Sequence, residues 1–206
     1  MNWTHWFSLL ALTVCLISFS LHFLRLLKLG KPREHAARAG SPLAGITYSF
    51  TTAMNPRNKE SAFLHLPTYT AGILFHIASF ICIVLYFFIL FQKVPAGVTG
   101  ILLAIAALVG GLAGLSMLAK RILSKNLRFL SKPDDYISNL LVSLFQLFTA
   151  LVILYDGFHQ LYMVLAGVLF LYMPLGKLKH IVYFFAARYH LGLFYGWRGV
   201  WPLRKA

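Results

Sequence analysis

The chain has 206 residues, of which 59% are hydrophobic and 12% charged, with a mean hydropathy of +0.74. Soluble domains carry about a quarter charged residues, so the composition excludes an ordinary soluble protein. Nineteen basic against five acidic residues give a net charge of +14, but the charges stand between long apolar runs instead of covering a polar surface, which excludes a nucleic-acid binder.

A helix that crosses a bilayer takes about 20 mostly apolar residues. Five stretches meet this: 3–27, 69–91, 97–119, 136–155 and 158–180. The first has no basic segment before it and its charges come after it, the order of an uncleaved span and not of a signal peptide. The short links 92–96 and 156–157 make the helices they join antiparallel. The expected fold is an all-α integral membrane protein: five transmembrane helices in an up-down bundle, one domain over 1–206, with an interfacial tail at 182–206. Eighteen of the 19 basic residues fall in the segments on the C-terminal side of the membrane, and only Lys93 falls on the other. Basic residues collect on the cytoplasmic side, so the expected orientation is N-out and C-in, in the cytoplasmic (inner) membrane.

Cys15 and Cys82 both lie within spans, too few thiols for an iron–sulfur cluster, a zinc finger or a disulfide framework. No Cys-x-x-Cys-His occurs, so covalent c-type haem attachment is excluded. Histidine is the remaining plentiful ligand. His5 and His159 fall near the outer face, while His35 and His65 fall in the first inside loop. His22, His76 and His180 converge on the inner leaflet. His76 follows Tyr69 by seven residues, placing it roughly 10 Å into the second span. Intramembrane ionisable residues are costly and point to function, and two neutral imidazoles from different helices are able to hold a haem iron. His76 is the leading ligand, with His180 or His22 as its partner. Lys177 and Lys179 would suit haem propionates.

Three segments carry a resemblance. They are Leu74-Phe75-His76-Ile77; the run from Met117 to Ser124 followed by Asp134-Asp135-Tyr136-Ile137; and Met173-Pro174-Leu175-Gly176-Lys177-Leu178-Lys179-His180-Ile181. In order and spacing, over roughly 69–190, they resemble the cytochrome b (gamma) subunit of respiratory nitrate reductase. The related haem b membrane subunits of heterodisulfide-reductase-like and sulfate-reduction electron-transfer complexes share the pattern. The resemblance implies that His76 and His180 are the axial pair of an inner haem. The family's second pair would fall at Tyr86 and Tyr162, neither of which is histidine, so one b-type haem is expected where the two-haem members have two. His159 with His5 is the alternative second pair.

The function implied is electron transfer between a quinone or menaquinone pool and an iron–sulfur protein subunit on the inner face. His22, Tyr86 and Tyr162 are candidates for a quinone slot. Asp156, the one outside carboxylate, is a candidate for proton release or a plain helix-end residue. The long basic loop 28–68 is expected to dock the partner. The aromatic tail suits either docking or lipid anchoring. The alternative is a haem-free membrane anchor or scaffold of a multisubunit complex. A non-haem metalloenzyme finds no support, since the spans hold almost no acids and no closely spaced histidines.

Overall fold

The computed structural model describes residues 2–30, 34–58, 62 and 64–203. Lys31, Arg33, Lys59, Arg204 and Lys205, counted above among the inner basic residues, lie outside the described residues, as do the side chains of Arg57 and Asp156. The described chain is helical: α1 Trp3–Lys28, α2 Pro42–Phe50, α3 Leu66–Leu90, α4 Gly97–Leu123, α5 Lys125–Leu130, α6 Pro133–Leu154, α7 His159–Tyr172 and α8 His180–Trp197, with short 3-10 turns between some of them. Among the described residues four helices (α1, α3, α4 and α6) are individually long and apolar enough to cross a membrane. The number rises to five if α7 and the helical segment after it are counted together as one broken span.

The fifth span differs from expectation. A single helix was expected over 158–180, but α7 has 14 residues and stops at Tyr172. At 1.5 Å per residue it is about 21 Å long, short of the ~30 Å hydrocarbon thickness. Pro174 supplies the reason: it has no N–H to donate and its ring collides with the carbonyl four residues back. The turn that follows closes with Leu175 and Gly176 donating to the Tyr172 carbonyl, at 3.0 and 3.1 Å.

The other helix ends follow local chemistry. α3 ends in a Schellman motif with Gln92 in the left-handed region (φ 58°). There Lys93 N–H donates to Phe88 O at 2.8 Å and Gln92 N–H to Ile89 O at 3.0 Å, which satisfies two orphan carbonyls. α6 begins with Pro133 and with Asp134 and Asp135 in its first turn, where negative charge meets the positive end of the helix dipole. Asp135 also reaches back to accept the Lys132 N–H at 2.9 Å.

The chain forms two compact units. The first comprises residues 1–18 and 67–178. Its outward faces are large and apolar, with Phe80, Val98 and Leu102 all more than 60% exposed, a surface suited to lipid and not to water. Its interior mixes aliphatic side chains such as Leu85, Ile89 and Met163 with small, aromatic and polar ones. α4 presents Gly110, Gly111 and Gly114 to α6. A Cβ on Gly111 would lie 2.7 Å from the Leu147 side chain and one on Gly110 would lie 2.8 Å from Gln146 Oε1. Small residues let membrane helices approach this closely.

The second unit comprises residues 19–66 and 179–206. Parts of the loop expected to dock a partner and of the interfacial tail are here folded onto each other. α2 starts at an N-cap, Ser41, whose hydroxyl accepts the Ala44 N–H at 3.3 Å, with Pro42 in the first turn. It packs backbone to backbone on α8. A Cβ on Gly192 would lie 2.5 Å from Ile46 Cα, and one on Gly40 would lie 2.5 Å from Gly196 O. Polar clasps border the contact. Ser49 donates to Arg188 O at 2.9 Å, Trp197 Nε1 to Ala36 O at 2.8 Å, and Arg198 pairs with Glu34 at 3.1 Å. Tyr48, Tyr195 and Trp201 form an aromatic cluster with ring centroids 4.7 to 5.4 Å apart.

Candidate functional site

His76 sits on α3 in the first unit with its ring exposed. Its Nδ1 lies 2.6 Å from the Gly72 carbonyl, one turn back. A carbonyl only accepts, so Nδ1 carries the proton and Nε2 keeps its lone pair. This is the second-shell arrangement found at metal-bound histidines, where the non-ligating N–H is held by a carbonyl or carboxylate. A Cβ on Gly72 would meet nothing within 4 Å. An exposed imidazole with a fixed tautomer has the chemistry of an axial haem ligand.

His180 begins α8 in the second unit and is exposed. In the same unit His22 is half-buried and its Nδ1 pairs with the Tyr183 hydroxyl at 3.0 Å. His190, ten residues beyond His180 on the same helix and edge-on to Tyr189, was not weighed in the depth ordering of histidines. Lys177 is ion-paired with Asp135. Lys179 remains exposed.

Tyr86 and Tyr162 are brought together. Both are fully buried, their ring centroids are 6.4 Å apart, and Phe145 and Phe170 pack against them at 4.8 to 5.6 Å. Aromatic side chains therefore fill the place that the resemblance assigns to a second haem pair.

His159 and His5 also meet, but as hydrogen-bonded rings. Their Nε2 atoms are 3.0 Å apart and the rings stack with centroids at 4.9 Å. This is hydrogen-bond distance, so the two rings pair directly with each other in this structure. The Asn2 N–H donates to His5 Nδ1 at 3.3 Å. That assigns the His5 proton to Nε2, from which it is donated to His159 Nε2.

A further set of groups was overlooked because the sequence was read for histidines. Along α6, Asp134, Ser138, Ser143, Gln146 and Thr149 recur at intervals of three to five residues. The last four of these are 5% exposed or less. Gln146 Nε2 donates to Phe75 O at 2.9 Å and to Ser79 Oγ at 2.6 Å, and Ser8 bonds to the Tyr86 hydroxyl. Among the described residues, Thr4 Oγ1 and Gln146 Oε1 are buried without a hydrogen-bond partner. The Thr149 hydroxyl donates to Phe145 O at 2.7 Å and keeps its lone pairs to accept from the Tyr162 hydroxyl beside it.

No protein-family model, curated protein or solved structure matches this chain.

Proposed function

We propose that this chain is the membrane cytochrome b subunit of a respiratory oxidoreductase complex. It would pass electrons between a quinone or menaquinone pool and an iron–sulfur protein through one b-type haem held by His76 and His180. The observation that carries this reading is the His76 hydrogen bond to the Gly72 carbonyl, which fixes the tautomer with Nε2 as the available donor atom. The sequence resemblance supplies the partner ligand, His180, and the quinone and iron–sulfur partners.

A bound haem would supply one-electron chemistry. The protein's own part is to hold and shape. Gly72 orients His76, and the apolar faces of α1, α3, α4 and α6 seat the bundle in the bilayer. The excess of basic residues on the C-terminal side supports an N-out, C-in orientation in the cytoplasmic membrane.

The test is an absorption spectrum of the purified full-length protein after dithionite reduction. A b-type α band is expected, lost in His76→Ala and in His180→Ala and kept in His22→Ala. A band that survives in His180→Ala and disappears in His22→Ala would move the second ligand to His22. No band in the unsubstituted protein purified from haem-replete cells would leave the haem-free scaffold reading in its place.

A further inference from the structure

We infer that the second unit carries a binding site for an anionic phospholipid on α8, with Arg188 as the ligand of the headgroup phosphate. The inference rests on the charges and the exposed apolar surface of this unit and not on the haem.

The depth of α8 follows from its tie to α1. That helix is long and apolar enough to cross a bilayer, and its last turn carries Arg25 and Lys28, both exposed. Basic side chains at the end of a span mark the level where it leaves the hydrocarbon. His22 stands one turn before Arg25. Its Nδ1 pairs with the Tyr183 hydroxyl at 3.0 Å, and the two rings meet edge to face with centroids 5.8 Å apart. Tyr183 is in the first turn of α8. α8 therefore begins at the depth where α1 reaches the headgroups, a level that aromatic side chains favour.

The faces of α8 differ in what they meet. Gly192 and Gly196 press against α2. Away from that contact, Phe184, Ala187, Leu191 and Phe194 follow one another in steps of three and four residues, and all four are exposed. Side chains at this spacing share one face of a helix. They form an apolar stripe at headgroup level, the surface on which a helix lying in the interface receives acyl chains.

Charge selects the headgroup. Among its described side chains the unit holds six basic ones, Arg25, Lys28, Arg38, Lys179, Arg188 and Arg198, against one acid, Glu34. Arg198 takes that acid. Among the described residues Arg188 has no acid partner, and its guanidinium lies over the Phe184 ring, 5.7 Å from the centroid. An arginine stacked on an aromatic ring keeps its N–H fork for a second partner, and the fork matches a phosphate. Phe184 belongs to the exposed stripe, so Arg188 sets a phosphate ligand at the edge of a surface for acyl chains. Phosphate ligand and apolar stripe together describe a phospholipid, and the excess of positive charge makes it an anionic one.

The test places the full-length protein, with Trp3 and Trp6 replaced by Phe, in nanodiscs. It reads the quenching of Trp197 and Trp201 by phospholipids brominated on their acyl chains; Trp197 lies one turn beyond Phe194 on α8. At equal mole fraction, brominated phosphatidylglycerol is expected to quench more strongly than brominated phosphatidylcholine. Arg188→Gln should cut that preference by about fivefold, the weight of one basic residue at a membrane surface. Lys93→Gln, in the first unit, should leave it unchanged. Circular dichroism and gel filtration confirm that each variant is folded; if Arg188→Gln fails that check, Arg25→Gln takes its place. Equal quenching by the two lipids overturns the inference, and so does an undiminished preference in the folded variant. Loss of the preference on adding inorganic phosphate, but not chloride of the same ionic strength, would assign the site to a free phosphate ion and overturn the lipid.

Discussion

Gly192→Ala is the sharpest probe of the second unit. The added Cβ would lie 2.5 Å from Ile46 Cα and 2.9 Å from Gly45 O. Carbon atoms sit comfortably at about 3.5–4.0 Å, so α2 must retreat from α8 by about 1 Å. Both obstructing atoms are backbone and no rotamer change relieves them. Overpacking of this kind costs about 1–3 kcal/mol. The rigid backbone puts the cost at the upper end, about 3 kcal/mol, and the better helix propensity of alanine returns up to ~1 kcal/mol. The net expectation is a loss of about 2 kcal/mol, a factor of roughly thirty in the folded-to-unfolded ratio. Unfolding in mixed detergent can be followed by the fluorescence of Trp197 and Trp201, with the exposed Trp3 and Trp6 replaced by Phe. The same substitution at Gly72, where a Cβ meets open space, should cause no destabilisation. The argument fails if Gly192→Ala unfolds at the same detergent fraction as the parent, or if Gly72→Ala is equally damaged.

Three further outcomes are expected. The Arg198 guanidinium beside Glu34 holds its carboxyl below the usual range. A depressed carboxylate contributes stability above its unfolded pKa that is lost as the pH falls through the folded one, so Trp197 fluorescence should report loosening below about pH 4, and Glu34→Gln should abolish that transition. Asp135→Ala removes the acceptor for the Lys132 N–H and the partner of Lys177; by analogy with other lost caps it should destabilise the first unit by about 0.5–2 kcal/mol, whereas Lys177→Met should cost no more than about 1 kcal/mol, both read by thermal denaturation. Tyr162→Phe deletes a fully buried hydroxyl that sits beside Thr149, and since a typical hydrogen bond contributes about 0.5–1.5 kcal/mol, the variant should melt lower than the parent; a higher melting point would mean that the hydroxyl is buried without a partner.

Apolar runs carry the four long helices plainly in the sequence, because a bilayer demands length and hydropathy and little else. The break in the fifth was also legible: Pro174 interrupts an apolar run, and a proline inside a helical pattern ends or kinks it. The α2–α8 contact was not. It joins glycines about 150 residues apart, and Gly40 and, in α2, Gly45 stand in a stretch that reads as polar loop. A glycine announces that a close approach is allowed, not what approaches. The facing tyrosines were reachable only through the resemblance, which put Tyr86 and Tyr162 at paired positions. Nothing in their local sequence links them, and what fills the space beside them, Phe145 and Phe170, depends on tertiary packing.

The polar face of α6 shows why reading spans by hydropathy alone hides chemistry. Ser138, Ser143, Gln146 and Thr149 are scattered among leucines, phenylalanines and valines, and an average over the window absorbs them. Their helical spacing gathers them on one side, and α4 answers with glycine at the same levels: the Gly110 position borders Gln146, and the Gly114 position borders Ser143. Glycine there permits close packing and at the same time leaves the width that an amide and a hydroxyl occupy. One helix has given up side chains where its neighbour buries polar ones. A Cβ at either place would collide, with the Ala78 Cβ at Gly110 and with the Ser143 hydroxyl at Gly114, so the pairing of glycine with a polar residue, repeated one turn apart, lets the helices close on each other and hold by polar contacts.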